Sequence, residues 1–148
     1  MSSTPVRVPG EILVHLRRAR DLIDTSYAEP LDLERLGRAA GLSKYHFHRM
    51  FSAAYGVTPA VYLSQRRVER AQDLLRATNL SVTEVCHGVG FSSLGSFSAR
   101  FKEIVGETPR DFQKRWGANA PRIPGCWVLM AGLVETASQE KRRTAPDA

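Results

Sequence analysis

Residues 31–55 read LDLERLGRAAGLSKYHFHRMFSAAY, and the reading of this stretch decides the fold. Leu33, Leu36 and Ala40 recur at helical spacing and give a first helix one apolar face. Gly41 follows where a chain leaving a helix turns left-handed, a conformation glycine adopts without a Cβ clash. Ser43 is a good N-cap for a second helix, its hydroxyl oxygen placed to accept an orphan backbone N–H. That helix puts Phe47, Met50, Phe51 and Ala54 on one side. At about 100° per residue, Tyr45, Arg49 and Ser52 point the other way, with His48 and Ala53 beside them. Two helices, a short glycine turn, and a planar cation beside an aromatic on the outward face make a helix-turn-helix pattern. Taken alone, the stretch also fits an ordinary pair of packed helices with a solvated polar face.

Upstream, the spacing predicts a helix from Pro9 to about residue 27. Ile12, Leu16, Ala19, Leu22 and Ile23 share its inner face, with Arg17, Arg18 and Arg20 around the rest as a solvated surface. Downstream, GVTP is a stop-and-restart signal: Gly56 ends one helix, Thr58 caps the next and Pro59 opens it. The helix predicted over 59–77 would be roughly 27 Å long at about 1.5 Å per residue. It buries Leu63, Val68, Ala71, Leu74 and Leu75 and leaves Arg66, Arg70 and Arg76 outside.

The pattern then repeats. Residues 80–105 read LSVTEVCHGVGFSSLGSFSARFKEIV, and an offset of 49 lays Leu31 on Leu80, Leu36 on Val85 and Gly41 on Gly90. One extra residue enters at the turn. An offset of 50 then lays Phe47 on Phe97, Phe51 on Phe101, GVTP on GETP and Tyr62 on Phe112. Two helix-turn-helix patterns in register, each followed by the same glycine–proline restart, are far more specific than one. The predicted fold is all-α: two helix-turn-helix subdomains, about 31–55 and 80–116, joined by the long helix 59–77.

At this point the chain resembles the AraC/XylS family of bacterial transcription regulators. The resemblance runs from Val89, Gly90 and Phe91 through Phe97 and Phe101 to Gly106, Thr108, Pro109, Phe112 and Arg115, and AAGLSKYHFHRMF with GVTPAVYL is similar to the family's first repeat. It covers about residues 12–116. It implies about seven helices over 9–116, the long one bridging two subdomains, and sequence-specific binding to promoter DNA. Many members carry an effector-sensing domain before this unit. Only about ten residues precede the first helix here, so none is expected.

Composition agrees with a phosphate-bearing partner. The formal charge is +6 over 148 residues, 43% of them apolar, and a basic balance favours nucleic acid or an anionic surface. No apolar run approaches the ~20 residues that cross a bilayer. The start, MSSTPVRVPG, lacks the apolar core of a secretory signal, which points to the cytoplasm and the nucleoid.

A long helix could hold two recognition helices about one DNA turn, ~34 Å, apart, so that both enter successive major grooves from a monomer. The expected site is then asymmetric and about two turns long. The expected base-reading residues are Tyr45, His48 and Arg49 in the first repeat and Gly95, Ser96, Ser98 and Ala99 in the second. Those expected to touch phosphate are Ser43, Lys44, Ser52, Ser92, Ser93, Arg100 and Lys102. Arginine can contact guanine O6 and N7 in bidentate fashion, whereas glycine and alanine cannot. The first repeat is therefore expected to supply most base readout and the second mainly to position. Phe47, Phe51, Phe97 and Phe101 have core spacing rather than that of base-stacking residues. The bareness of the second face leaves a weakly specific architectural DNA binder as the runner-up.

Other chemistry has thin support. His46 and His48 lie two apart and cannot share a helix face, and no other ligands complete a metal set, so neither metal nor cofactor is expected. Cys86-His87 resembles the cysteine–histidine pair of alkyl-transfer DNA repair enzymes, without the flanking proline and arginine. In the repeat, Cys86 falls where Gly37 does, inside a packed helix, and a nucleophilic thiolate needs an exposed electropositive setting. Cys86 and Cys126 are expected to be reduced packing residues. The apolar segment 123–130 is expected to pack back on the domain or to meet RNA polymerase or a second copy. The polar remainder, 136–148, reads as disordered.

Overall fold

The computed structural model describes residues 4–117 and Pro124. Seven helices occupy the described residues: α1 (Gly10–Ser26), α2 (Leu33–Ala39), α3 (Lys44–Tyr55), α4 (Pro59–Ala77), α5 (Val82–Gly88), α6 (Leu94–Val105) and α7 (Pro109–Gly117). The all-α expectation and its helix order hold. The chain divides into two compact units, Met1–Arg66 and Arg67–Ala148, with the boundary inside α4. Cys126, the segment 123–130 apart from Pro124, and the tail 136–148 lie outside the described residues.

In the first unit, α1, α2 and α3 pack on one another. Leu16, Ala19 and Ile23 of α1 meet Leu36, Phe47, Met50, Phe51 and Leu63 in one buried cluster. The same cluster takes in Ile12 and Leu22, which are partly buried, so the predicted apolar face of α1 is the one that packs. Pro9 stands one position earlier than expected. With ψ at 143° it is the cap residue rather than part of the first turn, and its carbonyl accepts from Ile12 and Leu13 at 3.0 and 3.2 Å.

In the second unit, α5, α6 and α7 pack on one another. Val68, Ala71, Leu74 and Leu75 of α4 are buried, as are Val85, Val89, Phe97, Phe101 and Phe112. The predicted buried side of α4 is correct at all five positions, Leu63 included.

The repeat seen in the sequence is a repeat of geometry. Phe47 and Phe51 lie with ring centroids 5.5 Å apart at 53°, and Phe97 and Phe101 at 5.7 Å and 60°. Edge-on contacts follow in both: Phe51 to Tyr62 at 5.7 Å and 77°, Phe101 to Phe112 at 5.5 Å and 77°. Such tilted pairs add about 0.5–1.5 kcal/mol each beyond area burial. All four phenylalanines are fully buried, which makes them the core residues their spacing predicted.

Three arginines depart from the expected solvated surface. Arg20 is half-buried with its guanidinium 5.2 Å from the Tyr55 ring centroid. Arg66 is half-buried, its Nε 3.0 Å from an Asp24 carboxylate oxygen. Arg70 is half-buried as well. A long side chain can lay its methylenes along the core while its head finds a charged or aromatic partner, which an outward position on a helical wheel does not reveal.

Candidate nucleic-acid interface

Each helix-turn-helix is closed by local hydrogen bonds. At the end of α2, the Leu42 N–H donates to the Gly37 carbonyl at 2.9 Å and the Gly41 N–H to the Arg38 carbonyl at 3.0 Å. At the end of α5, Phe91 donates to Cys86 and Gly90 to His87, both at 3.1 Å. This is the Schellman arrangement, which needs a left-handed residue at the position of Gly41 (φ 65°) and Gly90 (φ 102°). The following helices start on serine. The Ser43 hydroxyl accepts from the His46 N–H at 3.3 Å, and the Ser93 hydroxyl from Ser96 at 3.2 Å. The preceding helices are capped in the same way, by Asp32 onto Arg35 and Ser81 onto Glu84. Gly56 and Gly106 stop α3 and α6 in the left-handed region, at φ 75° and 94°.

These turns fix which side chains α3 and α6 present. On α3, Lys44, Tyr45, His48 and Arg49 are exposed, Tyr45 to 77%. The Lys44 ammonium stands 5.2 Å from the Tyr45 ring centroid, a cation over an aromatic face. Arg49 makes no ion pair among the described residues, which leaves its five donors available. Ser52 is half-buried, and its hydroxyl donates to the His48 carbonyl at 2.7 Å. Ser43 keeps a hydroxyl proton to donate while its oxygen caps the helix.

On α6 and the turn before it, Ser92, Ser93, Gly95, Ser96, Ala99 and Lys102 are exposed, whereas Ser98 is half-buried. Lys102, like Arg49, makes no ion pair among the described residues. Arg100 is half-buried and paired with Glu103 at 3.1 Å, so its charge is partly spent inside the helix. Leu94 was not singled out from the sequence. It opens α6 at the position that Lys44 holds in α3, and 43% of its surface is exposed. The repeat alignment held the signal, a leucine standing where the first repeat has a lysine.

The remaining candidates are structural in character. Cys86 is fully buried, and burial pushes its thiol pKa up, away from the thiolate a methyl acceptor would need. Arg67 lies with its guanidinium 5.6 Å from the Phe91 ring centroid, and burial lowers its pKa. Among the described residues no three of His, Cys, Asp or Glu gather to hold a cation, and no helix is long and apolar enough to cross a membrane.

Known proteins share this arrangement. A family model described as a helix-turn-helix domain matches residues 36–115. The chain is 34% identical over 92 residues to the transposon Tn10 TetD protein of Escherichia coli, covering 62% of this chain and 67% of that protein. It is 32% identical over 96 residues to the regulator GlxA of Rhizobium meliloti, covering 65% of this chain and 30% of GlxA. The chain thus spans about a third of GlxA, and 33% of the activator RhaS of Escherichia coli. Among solved structures, the DNA-binding domain of AdpA in complex with a target DNA superposes with a TM-score of 0.66 at 29% identity, covering 70% of this chain and 93% of that one. A probable AraC family regulator from Rhodopseudomonas palustris gives 0.64 at 27%, covering 69% and 96%. The match in sequence, the duplicated capped turns and the shared fold lead to one statement: the chain belongs to the AraC family of helix-turn-helix DNA-binding domains.

Proposed function

We propose that this protein regulates transcription by binding duplex promoter DNA as a monomer, α3 and α6 entering successive major grooves of one asymmetric site. The observation that carries the reading is the pair of exposed faces on α3 and α6, each mounted on the same capped glycine turn and each with a cation, Arg49 or Lys102, that forms no ion pair among the described residues. AdpA, whose DNA-binding domain shares the fold, was solved on a target DNA. Tyr45, His48 and Arg49 supply most base readout, with Gly95, Ser96, Ser98 and Ala99 facing bases in the second groove. Ser43, Lys44, Ser52, Ser92, Ser93, Arg100 and Lys102 track phosphate. The protein works in the cytoplasm on the nucleoid, and RNA polymerase is its partner at the promoter.

Selection from random-sequence duplexes tests the reading. A regulator of this kind enriches one asymmetric motif, and footprinting then gives two protected patches about ten base pairs apart on one face. Broad enrichment by base composition alone would favour the architectural reading, which the paucity of hydrogen-bonding side chains on α6 keeps in view. Arg49→Ala should relax preference at one or two base pairs by about 1–3 kcal/mol. Lys102→Ala should weaken all sequences alike and reduce the slope of log affinity against log salt by about one. An unchanged preferred sequence in Arg49→Ala would remove readout from α3.

A further inference from the structure

The exposed face of α6 offers little to the hydrogen-bonding edges of bases. Where α3 carries Lys44, Tyr45 and Arg49, α6 carries Leu94, Gly95 and Ala99. All three are exposed. Gly95 and Ala99 lie one turn apart on one side of the helix, with Leu94 at its N-terminal edge. Exposing a leucine at the start of a helix forgoes the gain of burying it.

Gly95 adds an independent observation. A Cβ built on it meets nothing within 4 Å, and its φ is not in the left-handed region. The fold does not call for glycine there, and glycine within a helix is less stable than alanine. A bare backbone on an exposed face lets another surface come close.

In the major groove, base edges present donors, acceptors and one apolar group, the C5-methyl of thymine, which apolar side chains such as alanine contact. We infer that α6 reads thymine by its methyl groups: Leu94 and Ala99 pack against the 5-methyls of A·T pairs, and Gly95 lets the helix backbone sink toward the groove floor. Lys102, Ser92 and Ser93 anchor the flanking phosphates. This inference rests on the DNA-binding reading above and gives the second groove a sequence preference of its own.

The test uses the full chain and the duplex motif that it enriches from random pools. Thymines in the half-site protected by α6 are replaced one at a time by deoxyuridine, which lacks only the methyl. At one or two positions affinity should fall roughly fourfold per methyl removed, while Leu94→Ala should bind more weakly and be indifferent to the replacement at its own position. Gly95→Ala, which keeps the helix, should bind the same motif more weakly. Uniform binding to methylated and unmethylated half-sites, or a half-site without thymine, overturns the inference and leaves sequence-specific binding intact. Equal methyl sensitivity in Leu94→Ala and Ala99→Gly overturns the assignment to these residues. Failure to enrich any motif overturns the underlying reading and this one together.

Discussion

The two helix-turn-helix repeats differ by one residue at the turn, and on the buried side of the preceding helix the shorter turn faces Gly37 where the longer has Cys86. In the first, the N-cap Ser43 comes two residues after the left-handed Gly41; in the second, Ser93 comes three after Gly90. The shorter turn draws the chain back against α2. A Cβ on Gly37 would lie 2.9 Å from the Leu42 carbonyl oxygen, closer than packed atoms tolerate, and 3.5 Å from the Lys44 Cα, an ordinary contact. At the matching place in the longer turn stands Cys86, a full side chain, buried without remark. The shorter turn thus goes with glycine and the longer with a buried side chain. A cysteine that resembles a nucleophile in sequence is, in three dimensions, what the longer turn has room for.

The largest expected effects test the likeness of the repeats rather than their difference. Phe51→Ala and Phe101→Ala should each cost about 3–5 kcal/mol in chemical denaturation, because each removes a fully buried ring that links the aromatic contacts of its own unit, three at Phe51 and two at Phe101. A loss in one position and tolerance in the other would show that the shared ring geometry hides unequal cores. Next in size, Gly37→Ala should cost about 1–3 kcal/mol by overpacking a backbone that cannot yield, while Cys86→Ala costs less. If both changes were equally mild, the turn-length account would be wrong.

A subtler difference is chemical. Tyr62 and Phe112 hold the same place, yet Tyr62 alone has a hydroxyl, which it donates to an Asp24 carboxylate oxygen at 2.8 Å. Burial, the hydrogen bond to Asp24 and the charge of that carboxylate push its pKa from 10.0 up to about 12. The folded state thus holds the phenolic proton more tightly than the unfolded chain. Its contribution to stability is whole below pH 10 and is lost as pH rises toward 12. Tyrosinate absorbance should show a late-titrating phenol, and Tyr62→Phe should abolish it and flatten the alkaline decline. The smallest effect concerns Gly95→Ala, which should raise stability by up to about 1 kcal/mol while weakening binding. A stabilising change on the outward face of α6 is the opposite of the loss expected at Gly37, though both replace glycine by alanine.

Much of this was legible in the sequence because capping is local. Ser43, Thr58 and the glycines 41, 56, 90 and 106 each announce themselves within a few residues, and so does the period-3.6 packing of α1, α3 and α4. What the sequence did not give away depends on distant neighbours. Arg20 and Arg66 sit on outward positions of their helices yet turn toward Tyr55 and Asp24, partners made close only by packing. Ser52 and Ser98 lie on the predicted outward faces but are half-buried. Gly37 looks like any small helical residue until the return of the chain at Leu42 is seen. Leu94 sits where the first repeat has Lys44, and its exposure on α6 shows that it is not in the core.

The hydrogen bonds that close each turn join residues three to five apart in the chain, from Ser43 to His46 and from Leu42 back to Gly37. Contacts so near in sequence demand little loop-closure entropy and lower the average contact order of the whole protein. Each turn is therefore expected to act as a folding nucleus, ahead of contacts between distant side chains. Rewriting the outward letters of α3 or α6 leaves that nucleus alone, so altered targets should not come at the expense of folding speed.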